Sequence, residues 1–264
     1  MGASVNTAAC ARGFVPGMGT VMKRSTAVAL GAICAALIAG ALPTLAAERE
    51  VPPPAKPQAP APMKQVQAPV YKPPARGMPG GRVGGGTRGT RERDVFVLSV
   101  LAPDHTGLTT KEQPCLFWFI STRTALPVEL TIIDPAVVGS VLETRLSAPV
   151  ERGVHRVRLA EHGVRLRMGV AYQWSVTVVP DPAHRSRDIL ASGTIERVEA
   201  DAGLKQQLPG TRVENLAAVY AQAGIWYDAL EAISDVIDGA PKDDTLRRYR
   251  AELLAQVGLP RVGE

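Results

Sequence analysis

Asp104 and His105 stand side by side in the polar run 102–114, APDHTGLTTKEQP. A carboxylate beside an imidazole is the raw material of general-base chemistry, provided a nucleophile, a substrate or a metal lies within hydrogen-bond reach. Thr106, Thr109, Thr110 and Lys111 are close in sequence, but no serine or cysteine motif accompanies them. Polar connections between buried strands often carry function, so Asp104 and His105 are kept as ligand contacts. The expectation is a structural loop, and a hydrolase centred on the pair is the alternative.

The other reactive side chains are sparse. His105, His155, His162 and His184 lack metal-ligand spacing such as H-x-x-x-H, and with Cys10 and Cys34 in the leader expected to be cleaved, the single thiol that remains builds no zinc site. That thiol, Cys115, sits among Leu116, Phe117 and Trp118 and reads as a small buried hydrophobe. Gly84-Gly85-Gly86-Thr87-Arg88-Gly89 matches G-x-G-x-x-G letter by letter. No strand is expected before it and no helix after it, and both are needed to aim backbone amides at a pyrophosphate. The sequence therefore predicts no metal, no nucleotide and no cofactor.

Arg156, Arg158, Arg165 and Arg167 form the most charged motif. They alternate with apolar residues in two short runs, 155–159 and 164–168, which read as a β-hairpin closed by residues 160–163. Alternation would put all four on one exposed face, where like charges across strands repel. Either carboxylates interleave, with Glu129 and Glu143 as candidates, or an anionic glycan or lipid does.

The elements that must hold these residues follow from periodicity. Residues 94–101 and 115–121 are apolar on both faces, as covered central strands are. Residues 127–134 and 172–178 alternate, burying Val128, Leu130 and Ile132 in one and Tyr172, Trp174, Val176 and Val178 in the other. Weaker runs at 141–146 and 189–198 complete seven or eight strands within residues 94–198. The fold class expected is mainly β, an immunoglobulin-like two-sheet sandwich with Trp118 and Trp174 in its core.

From residue 199 the period becomes helical. Leu216, Ala217 and Tyr220, then Tyr227, Leu230, Ile233 and Val236, mark two helices broken at Gly224, and residues 243–257 mark a third. The order of small and aromatic residues resembles one tetratricopeptide repeat. One such unit cannot stack into a solenoid. It must pack on the sandwich or hold a partner, through Tyr220, Trp226, Tyr227 and Tyr249.

The front of the chain reads as an address. Lys23 and Arg24 precede an apolar run, Thr26 to Leu42, and a small-residue cleavage site at Thr44-Leu45-Ala46. That order is a secretory signal peptide over 22–46, behind an over-long start at 1–21. Residues 47–93 hold nine Lys/Arg against three Asp/Glu in a Pro/Gly-rich stretch that reads as a disordered basic linker. Residues 94–198 balance at eleven of each sign, and 199–264 carry seven bases against eleven acids. A basic tail on a neutral body, exported to the periplasm or beyond, points to an envelope protein, glycan or lipid as partner rather than to nucleic acid. No transmembrane helix is expected after processing.

The glycine-rich entry from Arg76-Gly77 to Gly89, the block Leu101-Ala-Pro-Asp-His-Thr-Gly-Leu-Thr109 with Gln113-Pro114, and the stretch from Gly169 to Trp174 together resemble the bacterial family catalogued as domain of unknown function 928. The resemblance covers residues 71–198 and leaves the C-terminal helices outside. It implies an exported bacterial protein and supplies no catalytic residue to carry over. The first functional expectation is accordingly a non-catalytic module that binds another envelope protein. Anionic glycan or lipid binding through the arginines is the alternative.

Overall fold

The computed structural model describes residues 66–74, 82, 85–86 and 96–259. The signal peptide, the start segment and Arg76, Arg88, Arg91 and Arg93 lie outside the described residues. Among the described residues nine strands form two sheets. The first runs β1 (Gly85–Gly86), β2 (Val97–Val100), β4 (Cys115–Ile120), β7 (Gly153–Arg158), all antiparallel. The second runs β3 (Gly107–Thr109), β9 (Ile189–Arg197), β8 (Ala171–Val178), β5 (Val128–Ile133), β6 (Ser140–Leu146). Only the β3–β9 pair among these is parallel.

Pattern and partner agree where the apolar period is strong. All six residues of β4 are buried, because one face meets the second sheet and the other lies under helices. In β5 the alternation puts Val128, Leu130 and Ile132 fully inside, and β8 does the same for Tyr172, Trp174, Val176 and Val178. Trp118 and Trp174 are core residues, as expected. The expected loop at 102–114 instead contains β3, whose three residues are too few to announce themselves by period.

Four α-helices follow among the described residues: α1 (Ala202–Gln207), α2 (Leu216–Gln222), α3 (Trp226–Gly239) and α4 (Asp244–Ala255). Asp201 and Asp243 cap α1 and α4 by accepting from the backbone N–H of Leu204 and Thr245. Gly224, at φ 76°, takes the left-handed turn that ends α2, with Ile225 N–H returned to the Tyr220 carbonyl at 2.9 Å. The helices and the sandwich share one cluster of buried apolar side chains. Trp226 donates from Nε1 to the Leu101 carbonyl at 2.8 Å, and Trp174 donates to Tyr227 Oη at 2.8 Å. Tyr227 in turn donates to the Thr194 carbonyl at 2.9 Å. Gly107 permits this approach, since a Cβ there would stand 2.6 Å from the Tyr227 ring.

Two expectations are corrected. Residues 155–168 are not a hairpin. β7 pairs with β4, and a 3-10 turn at Leu159–His162 ending on Gly163, φ 67°, sends the chain away from β7. Residues 164–168 then run extended beside the 112–113 turn, with Leu166 N–H bonded to the Glu112 carbonyl at 2.9 Å. Val164 and Leu166 are still buried between exposed arginines, so the period of two was real and only the pairing partner differed. The second correction concerns the linker. Within it, residues 66–74 lie on the helices, with Lys72 N–H bonded to the Ala221 carbonyl at 3.0 Å and Tyr71 N–H to Gln256 Oε1 at 2.7 Å.

Candidate anion-binding cleft

Without the hairpin, the four arginines part company. Arg165 pairs with Glu112 at 2.5 Å, and Arg167 pairs with Asp134 on the far side of the turn. Arg158 reaches Glu161 at 3.5 Å. Arg156 lies opposite Phe117 in the β4–β7 register, its guanidinium 5.0 Å from that ring centre, and bonds Asp235 at 2.7 Å and Asp238 at 3.3 Å from α3. Glu129 and Glu143 are not their counterions. Glu129 binds Arg185 at 2.7 Å and Arg145 at 3.4 Å, and Arg185's hydrogen bond holds its carboxyl below the usual range. Glu143 lies 3.5 Å from the Ser140 hydroxyl.

Arg156 and Arg158 do come together with residues that sequence reasoning passed over. A cleft of about 190 Å³ opens between the β4–β7 surface and helices α3 and α4, lined by both arginines, Ser234, Asp238 and Arg250. Ser234 is only 1% exposed, and its hydroxyl has no hydrogen-bond partner. Arg250 Nε is buried and equally unpartnered. Burial holds the Arg250 guanidinium below its usual range, only partly offset by the charge of Asp238. A buried donor left unpaired costs about 1–3 kcal/mol, and more on a charged group. Three guanidinium groups and a hydroxyl line one concavity, and two of these donors, Arg250 Nε and Ser234 Oγ, have no acceptor.

A signal for both missed residues was present. Leu246, Arg250 and Leu253 fall at i, i+4 and i+7, and Leu230, Ser234 and Ile237 do likewise. Each polar residue thus occupies the buried stripe of its helix, where an apolar one is expected.

Asp104 and His105 are tied differently. His105 Nδ1 lies 3.1 Å from Asp104 Oδ1, and its Nε2 lies 2.9 Å from Tyr71 Oη, whose ring stacks on the imidazole. Burial, reinforced by the Asp104 charge, raises the Tyr71 phenol, which therefore stays protonated. Asp104 faces water, at 82% exposure. The three residues fasten the 66–74 segment to the loop, and Arg82 adds bonds to the carbonyls of Ala102 at 3.1 Å and Val257 at 3.0 Å. The Cys115 thiol is pushed up to about 12, first by burial and then by the Glu231 carboxylate, so it carries no thiolate at neutral pH.

The partner-binding aromatics also need correction. Trp226 and Tyr227 are completely buried against the sandwich and offer a partner no surface. Tyr220 and Tyr249 are half-buried and pack on the same core. Beside them Asp228 is buried in the first turn of α3. It accepts from the hydroxyls of Thr109 and Thr110, both at 2.5 Å, and from the Thr110 N–H at 3.0 Å. Among the described residues no group of three or more His, Cys, Asp or Glu is placed to hold a metal ion, and no helix is long and apolar enough to cross a membrane.

No curated protein matches the chain. A family model does, over residues 83–264. The match takes in α1 to α4, which the sequence resemblance left out, in keeping with the single core that helices and sandwich share. With well over half its length matched, from the glycine-rich entry through α4, the chain belongs to the family described as Domain of Unknown Function (DUF928).

Proposed function

We propose that this chain is an exported, non-catalytic binding module that holds an anionic group of an envelope glycan or lipid in the cleft between β7 and helices α3 and α4. One observation carries the reading: Ser234 Oγ and Arg250 Nε are buried without partners beside two further arginines. Export rests on the signal-peptide pattern of residues 22–46. The absence of catalysis rests on a protonated Tyr71, an exposed Asp104 and an un-ionised Cys115 thiol, none of which makes a nucleophile.

The test is co-sedimentation of the processed chain with its own envelope fraction across a salt series. Binding is expected to fall with salt and to be lost in Arg158→Glu, inside the cleft, but kept in Arg165→Glu, outside it. Equal loss in both variants, or in neither, would remove the cleft from the account.

A second reading, attachment to another envelope protein, has its own observation. Val137 and Val138, in the turn between β5 and β6, are exposed at 53% and 104%. A crosslinked partner recovered by the parent and lost in Val138→Asp would favour it.

A further inference from the structure

The donors of the cleft narrow the chemistry of its ligand, on the reading that the cleft is an anion site at all. They arrive from three elements: Arg156 and Arg158 from β7, Ser234 from α3 and Arg250 from α4. A carboxylate offers two oxygens in one plane, which a single guanidinium fork satisfies. Donors converging from three directions are matched by a group with three terminal oxygens on a tetrahedral centre.

Charge points the same way. Arg156 is already engaged by Asp235 and Asp238, and Arg158 by Glu161. Among the described residues Arg250 has no carboxylate within ion-pair distance, although its Nε is buried. A half-buried guanidinium without an ion-pair partner favours an anion beside it. The cleft has room for a few water-sized groups, enough for a phosphate and the first atoms of whatever bears it.

We propose that the cleft binds the terminal phosphate of a phosphomonoester, with Arg250 Nε and Ser234 Oγ as the buried donors and Arg156 and Arg158 closing over the outer oxygens. Asp235 and Asp238 compete with the ligand for Arg156 and set how tightly it is held. The shared chemistry is the phosphomonoester head, borne by a small soluble molecule or by a lipid.

The experiment is titration calorimetry of the processed full chain with glycerol 1-phosphate, inorganic phosphate, sulfate and acetate. It runs beside flotation on phosphatidylcholine vesicles with and without phosphatidic acid. The phosphomonoester is expected to bind better than sulfate and much better than acetate. Arg250→Gln should weaken it about tenfold or more, and Ser234→Ala about three- to tenfold, as expected for hydrogen bonds to a charged group. Arg250→Lys, which keeps the charge but loses the Nε donor, should fall between Gln and the parent. Asp238→Asn should strengthen binding, an effect no purely structural role would give, and circular dichroism melts confirm that each variant is folded. Flotation only with phosphatidic acid identifies the lipid source, and binding of glycerol 1-phosphate without flotation identifies the soluble one. If acetate binds as well as phosphate, the phosphate assignment falls while the anion reading stands. If no anion binds and no vesicle floats, both fall together.

Discussion

Two polar seams lie beneath α3, and they are built to opposite rules. At its first turn Asp228 is buried with its acceptors filled by Thr109 and Thr110. Six residues further on, Ser234 lines the cleft with its hydroxyl unfilled, as does Arg250 with an unfilled Nε. The same helix closes one polar group against β3 of the second sheet and leaves the next one open against β4 and β7 of the first. A closed buried network fixes where α3 sits on the sandwich. An open one contributes nothing to that and carries the cost of its unpaired donors.

The comparison breaks first at Asp228. Replacing it by Ala strands three donors in the seam and should cost about 3 kcal/mol or more, read as a lower urea midpoint. A loss under about 1 kcal/mol would mean the seam is not closed in solution. Tyr227→Phe comes next. It removes the acceptor of the buried Trp174 N–H and should cost about 1–3 kcal/mol. A midpoint equal to the parent's would show that the Trp174–Tyr227–Thr194 relay does not secure α3.

The pH dependence of the same seam sharpens the contrast. Burial raises the Asp228 carboxyl above its usual range, with the bonds from Thr109 and Thr110 pulling the other way. A raised folded-state value contributes stability that is full below about pH 3.9, the unfolded value, and is lost as pH rises through the folded value. Asp228→Asn has no such slope, so its stability relative to the parent should improve between acid and neutral pH. Urea melts at several pH values would overturn this if the gap stays constant. The smallest effect belongs to the open seam and has the opposite sign: without ligand, Ser234→Ala removes an unpaired buried hydroxyl and should raise stability by up to about 1 kcal/mol. A loss as large as that at Tyr227 would show that the hydroxyl has a partner, and the two seams would no longer differ in kind.

What was legible in the sequence follows how local the cause was. The strands at Cys115–Ile120, Val128–Ile133 and Ala171–Val178 write their burial into the residue period, because each is flanked by solid neighbours. Period alone did not say which strand Val164 and Leu166 lie beside, since alternation marks an extended chain and not its partner. The three-residue β3 and the docked segment 66–74 left no periodic trace, because each is held by long-range bonds. The cleft was half visible. Arg156 and Arg158 stood out as charge, whereas Ser234 and Arg250 register only as polar residues on an apolar helical stripe, which takes a pairing of helices to interpret. Asp104 and His105 drew attention by type, but their role depends on Tyr71, thirty-four residues away from His105.

The shared core also dictates when folding can finish. Leu101 and Thr109 wait for Trp226 and Asp228, and the last buried contributor among the described residues is Leu259. Whether the chain emerges from a ribosome or through a membrane pore, the sandwich remains incomplete until its final helices arrive. Early emergence of the strands therefore gives no early commitment, and the leading strands must be kept from other partners meanwhile. A chain stopped near residue 199 would accordingly be an unfinished protein with an uncovered sheet face.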